Sequence, residues 1–129
     1  MNAKKTLVNQ IIDQEAINQL IIDSIQDKKA KDVVLLDLRE LDEAPTDFFI
    51  ICHGDSHTQV SAIADNVVTE LKKKANQIPN HKEGGSNAHW ILVDYFNTVV
   101  HVFYHETREF YNLEDLWSDA NVTSFENVS

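Results

Sequence analysis

Glycine, proline and cysteine are all scarce in this chain, at three, two and one among 129 residues. So little glycine and proline excludes collagen-like and low-complexity chains and fits regular elements joined by short links. The single Cys52 excludes an internal disulfide and fits a reducing compartment. No apolar run approaches the roughly 18 to 20 residues that a membrane span requires. The opening MNAKKTLVNQ has two lysines but neither an apolar stretch nor a small-residue cleavage site, so a cytoplasmic protein is expected. Bases are few as well, 11 against 21 acids, for a net charge of −10. Lys28, Lys29 and Lys31 close one predicted helix and Lys72, Lys73 and Lys74 another, positions that the helix macrodipole explains. No basic stripe remains for a phosphate backbone, so little direct nucleic-acid contact is expected. An acidic body is attracted instead to basic proteins.

The chain fits one domain with one core. Residues 1–12 are expected to form a flexible arm, 13–118 the folded domain and 119–129 a flexible tail. Asp13 can cap a helix to about Lys29, with Ile17, Leu20, Ile21 and Ile25 on one stripe. Val33–Leu38 and Phe48–Cys52 are short, nearly continuous apolar runs and read as buried strands. Ser56 and Gln59 form a capping-box pattern before a helix carrying Val60, Ile63, Ala64, Val67, Val68 and Leu71. Residues 78–88, with Pro79, Gly84 and Gly85, read as a loop. Trp90–Tyr95 and Val99–Tyr104 read as an antiparallel hairpin, its turn eased by the tolerance of Asn97 for positive φ. Thr107 or Asn112 could cap a last helix that buries Phe110 and Trp117. The order α-β-β-α-β-β-α predicts an α/β domain, a central mixed sheet with helices packed on it.

The chemical motifs are weak. His53 and His57 are spaced by four, as are His101 and His105, but strand and helix boundaries fall between them, and no second cysteine or HExxH motif accompanies them. No metal or other cofactor is expected. Gly54-Asp55-Ser56 before a helix has the turn that a nucleotidyltransferase uses for phosphate. The paired carboxylates that would hold magnesium are missing, since Asp37 and Asp94 are single acids in apolar runs. Cys52 lies within FFIIC, where a protonated thiol packs as a small hydrophobe. Catalytic residues are therefore not assigned.

The hairpin is more informative. Trp90, Leu92 and Asp94 share one face, and Ile91, Val93 and Tyr95 the other. On the partner strand Val99, His101 and Phe103 alternate with Val100, Val102 and Tyr104. A face with Trp90, Asp94 and His101 is mixed aromatic and polar, the composition of a protein-binding patch. Exposed apolar strand faces also make a homodimer of the free protein an expectation.

WILVDY followed by VVHVFYHETREFYNLEDLW closely resembles the ribosomal silencing factor family, also called iojap. DVVLLDL, TDFFIICHGDS, the IADNVV helix and EGGSNAHW fall in the family's order, and the resemblance spans about residues 14–118. It implies an α/β fold similar to nucleotidyltransferases but without their catalytic residues, and no reaction or cofactor. It implies binding to the large ribosomal subunit through its protein fourteen, so that the small subunit cannot join and translation falls when nutrients are short. A large-subunit assembly factor is the alternative; a nucleotidyltransferase enzyme is a weaker one. Carried over by residue, the contact surface includes Trp90, Asp94, Tyr95 and His101. Asp47, Gly54, Glu83 and Gly84 match structural motif positions. The chain departs from the family at the hairpin turn, where Phe96-Asn97 replaces the usual Gly-Asp.

Overall fold

A computed structural model describes residues 3–128, with side chains described from residue 14 onward. The elements run α1 (Ala3–Asp27), β1 (Lys31–Asp37), β2 (Phe48–Gly54), α2 (His57–Ala75), β3 (His81–Glu83), β4 (Trp90–Asp94), β5 (Thr98–Tyr104), α3 (His105–Tyr111), α4 (Leu113–Leu116) and β6 (Asn121–Ser124). They build a single α/β domain on one six-stranded mixed sheet of order β3-β4-β5-β2-β1-β6. β2 and β5 pair in parallel, and the remaining neighbours pair antiparallel.

The apolar periodicity of α2 explains its place. Val60, Ile63, Ala64, Val67 and Leu71 form one buried stripe, and each large aliphatic side chain contributes roughly 1.5 to 3 kcal/mol when withdrawn from water. Ser56 Oγ accepts the Gln59 N–H at 3.1 Å. The returning arm of the box reaches one residue further back, since Gln59 Oε1 accepts the N–H of Asp55 at 2.8 Å. Left-handed Asn76 ends the helix, its N–H directed to the carbonyls of Leu71 and Lys72.

The stripes of α1 and α2 meet one sheet face in a core of Ile21, Ile25, Ile50, Cys52, Ile63, Val67, Ile91, Val93, Val100 and Val102. Burial pushes the Cys52 thiol up to about 12, which keeps it protonated. The opposite face holds Leu36, Phe49, Ile51, Val99 and Phe103 under a thinner cover that includes Leu41, Leu113 and Trp117. A buried polar knot fastens α1 to the hairpin: Thr98 Oγ donates to Asn18 Oδ1 at 2.6 Å, and Gln14 Nε2 donates to Thr98 Oγ at 2.7 Å.

Several boundaries differ from the expectations. α1 starts at Ala3, so Asp13 falls within the helix instead of capping it, and its side chain lies outside the described residues. His81–Glu83, expected as loop, adds an edge strand to β4. The region after 118 is not a free tail: Asn121–Ser124 pairs with Val34–Asp37 of β1, satisfying backbone groups that an open sheet edge would leave to solvent. The last helix is two, divided at Asn112, whose φ is +47°.

Candidate functional site

Trp90 opens β4 opposite Phe103 of β5. Its ring stacks on Phe103 at 4.8 Å between centroids and leans on Tyr111 of α3 at 4.9 Å. Its indole N–H donates to His101 Nδ1 at 3.1 Å. Hydrogen bond and stacking together fix the plane of the half-buried indole and leave one side open to solvent.

His101 itself is 4% exposed. It lies edge-on to Phe49 at 4.5 Å, and burial pulls its pKa down to about 4. Buried in this way it offers no contact surface of its own, and its role in the structure is that of the acceptor that orients the indole. The sign of its pH effect follows from the depressed value. The unfolded chain takes up this proton below the ordinary 6.5, while the folded protein refuses it until about 4. Stability is therefore intact above pH 6.5 and falls towards pH 4 by up to about 1.4 kcal/mol per pH unit before levelling. Denaturation midpoints of wild type and His101→Phe, compared over this window, should show the extra slope in wild type alone.

The other two expected residues have different surroundings. Asp94 shares Trp90's strand face but serves the turn, its Oδ1 accepting the Phe96 N–H at 2.7 Å. Tyr95 turns to the opposite face and packs against the α1/α2 core. Its hydroxyl is buried without a partner among the described residues, and burial raises its pKa to about 12. Trp90 and His101 are thus brought together, Asp94 marks the far end of the same strand, and Tyr95 is set apart from them.

What surrounds Trp90 was only partly visible in the sequence. Phe110, expected in the core, is 81% exposed, and Tyr111 is 54% exposed. Helix α3 is too short to bury two faces, and its inward residue is Arg108. That guanidinium forms an ion pair with Glu114 and donates to His53 Nδ1 at 2.9 Å. Burial, and then the neighbouring Arg108 charge, lower the pKa of His53, favouring the neutral acceptor. Arg108 so pins α3 to the carboxyl end of β2 and holds Phe110 and Tyr111 outward. Trp117 does pack inward, edge-on to Phe49 at 6.0 Å. Trp90, Tyr111, Phe110, His89, Glu106 and Gly84 border an open groove of about 630 Å³. An exposed aromatic next to a helical Arg–Glu pair six residues apart was the available signal for this groove, and it is a faint one.

The catalytic alternatives find no geometry. Asp37 lies on β1 and Asp94 on β4, three strands apart in the sheet, a separation of roughly 14 Å that no shared magnesium could bridge. Asp37 is instead bound by Arg39, whose hydrogen bond holds its carboxyl below the ordinary value. His57 does not face His53 but stacks on Tyr104 at 4.3 Å and on His89 at 4.7 Å. No described helix is long and apolar enough to cross a membrane.

Comparison with known proteins accords with this architecture. Residues 12–129 match the family model described as ribosomal silencing factor during starvation. A ribosomal silencing factor of Halalkalibacterium halodurans is 41% identical over 110 residues, covering 85% of this chain and 92% of that protein. A crystal structure from Chromobacterium violaceum superposes with a TM-score of 0.76 at 36% identity, covering 81% of this chain and 85% of that one. A more distant relative, the mouse protein named mitochondrial assembly of ribosomal large subunit protein 1, is 30% identical over 101 residues, or 77% of this chain and 44% of its own. With nearly its whole length matched in this way, the chain belongs to the ribosomal silencing factor family, whose members are regulators and not enzymes.

Proposed function

We propose that this protein docks on the large ribosomal subunit through the subunit's protein fourteen, and that its 14.7 kDa body then keeps the small subunit from joining, lowering translation under nutrient limitation. The observation that carries the reading is the Trp90–Tyr111–Phe110 groove: three aromatic rings, two of them with more than half their surface exposed, on a body of net charge −10. Exposed aromatics with a polar rim are what a protein interface uses as anchors. The negative charge steers them to a basic ribosomal protein and away from bare RNA. Asp94 stands at the other end of Trp90's strand face, outside the groove, and His101 orients the anchoring indole. Tyr95 supports the surface from behind. When the protein is free, the same apolar face could pair with a second copy.

The test is a subunit-joining assay with purified large and small subunits. Saturating protein should shift whole ribosomes to free subunits, and the bound fraction should sediment with large subunits alone. Unhindered joining at saturation would sink the proposal. The mouse relative's name favours a second reading, a factor in large-subunit assembly. Tighter binding to precursor particles than to mature subunits would select it.

A further inference from the structure

The tip of the β4–β5 hairpin holds an aromatic side chain where the backbone favours glycine. Phe96 has φ +78°, in the region that side-chain-bearing residues rarely adopt. Its ring is 75% exposed, so nothing within the protein is gained by placing it there. The conformation is nonetheless held firmly. Asp94 Oδ1 accepts the Phe96 N–H at 2.7 Å, Thr46 Oγ donates to the Phe96 carbonyl at 2.8 Å, and Tyr95 N–H reaches Thr98 O at 2.9 Å. The Asn97 carbonyl accepts the Phe48 N–H at 3.0 Å, and its side chain donates to Gln14 Oε1 at 3.3 Å. A strained, exposed residue fixed from several elements at once is the pattern of a contact point, the strain being tolerated because the surroundings over-determine it.

We propose that Phe96 is a second anchor of the docking surface, a knob that enters an apolar socket on a basic protein of the large subunit; this rests on the docking reading above. Phe96 lies six residues beyond Trp90 and two past the end of β4, so the two are at most roughly 20 Å apart at the rise of a strand. Two anchors at that separation fix orientation as well as affinity. The charge around the tip selects the occupant. Asp37, Asp94 and the start of β5 lie at the same end of the sheet, where β1, β2 and β5 are in register. Asp47 and Glu15 are close enough to act on Arg39, which Asp37 already holds at 2.7 Å. On the side of the β1–β2 loop Asp37, Asp47 and Glu15 outnumber Arg39, while Lys72, Lys73 and Lys74 end α2 on the helical face of the sheet; the carboxylate side suits a cationic protein and repels a phosphate backbone. Ile78, 66% exposed, lies just before Asn80, whose N–H binds the Asp94 carbonyl at 2.7 Å, and adds apolar surface at this end.

The experiment compares wild type, Phe96→Gly and Phe96→Ala in thermal unfolding and in co-sedimentation with purified large subunits. Phe96→Gly should relieve the strained φ and raise Tm by roughly 3 to 6 °C, while weakening binding at least fivefold. Phe96→Ala should weaken binding similarly without that gain in Tm. Stability and affinity moving in opposite directions is a result that a merely structural turn residue would not give. Unchanged binding by Phe96→Gly, or a lower Tm, would overturn the knob while leaving the docking reading intact; failure of wild type to sediment would overturn both. A benzophenone side chain introduced at position 96 should cross-link to a large-subunit protein, and a cross-link to ribosomal RNA instead would also overturn the proposal.

Discussion

Gly84→Ala is expected to lower the unfolding free energy by about 2 to 5 kcal/mol, the largest effect of any single methyl added to this chain. Gly84 has φ +90°, and a Cβ there would run into the Trp90 carbonyl oxygen and lie 3.0 Å from the Trp90 carbonyl carbon and 3.3 Å from Ile91 Cα. All three obstacles are backbone atoms, so no side chain can swing aside. The closeness arises because β3 pairs with β4 in a short register, Glu83 opposite Leu92, which brings the chain leaving β3 directly against the start of β4. The methyl therefore adds an overpacking cost to the cost of a left-handed conformation. It should also displace Trp90 and so weaken docking. Gly85→Ala is the control, since a Cβ at that position meets nothing within 4 Å; a change within about 0.5 kcal/mol is expected there. Urea denaturation midpoints of the two variants decide the matter, and equal midpoints would refute the close-approach argument.

Trp90→Ala should weaken binding to large subunits by 100-fold or more, which corresponds to roughly 3 kcal/mol and is ordinary for a buried aromatic anchor. Without the indole, the groove loses its floor over Phe103, Tyr111 loses its neighbour at 4.9 Å, and His101 Nδ1 loses its donor. The fold should survive, because the indole is half-buried and sits on the thinner of the two sheet faces; a stability loss of about 2 kcal/mol is expected. Trp90→Phe separates the components, keeping the stacking and discarding the N–H, and should bind with intermediate affinity. Co-sedimentation and denaturation on the same preparations give both quantities. Wild-type binding by Trp90→Ala would move the docking surface away from this face.

The elements with a strong period were legible residue by residue. The α2 stripe, the FFIIC and VVLLDL strands, the hairpin and its alternating faces all appear where local pattern places them, because each buries a face that its own sequence defines. The short or polar elements were not. His81–Glu83 is a fully exposed strand, and Asn121–Ser124 is exposed throughout. Neither carries apolar alternation, and each is a strand because a neighbouring edge offers hydrogen bonds. The turn showed the same limit: Asn97 was the residue expected to tolerate positive φ, yet Phe96 carries it, since contacts from Thr46 and Asp94 choose the turn geometry.

By itself the sequence determined an acidic α/β domain, its two buried strands, its amphipathic helices and the aromatic hairpin that tied it to the ribosomal silencing factors. These follow from periodicity, composition and motif order, which are properties of neighbours along the chain. Tertiary structure alone decided that His101 is buried beneath Trp90, that Tyr95 turns away from it, and that Phe110 and Tyr111 stand outside as walls of a groove. Those outcomes depend on strand order and on a buried Arg108, paired with nearby Glu114 and tethered to His53 across 55 residues, a pairing that no local pattern encodes.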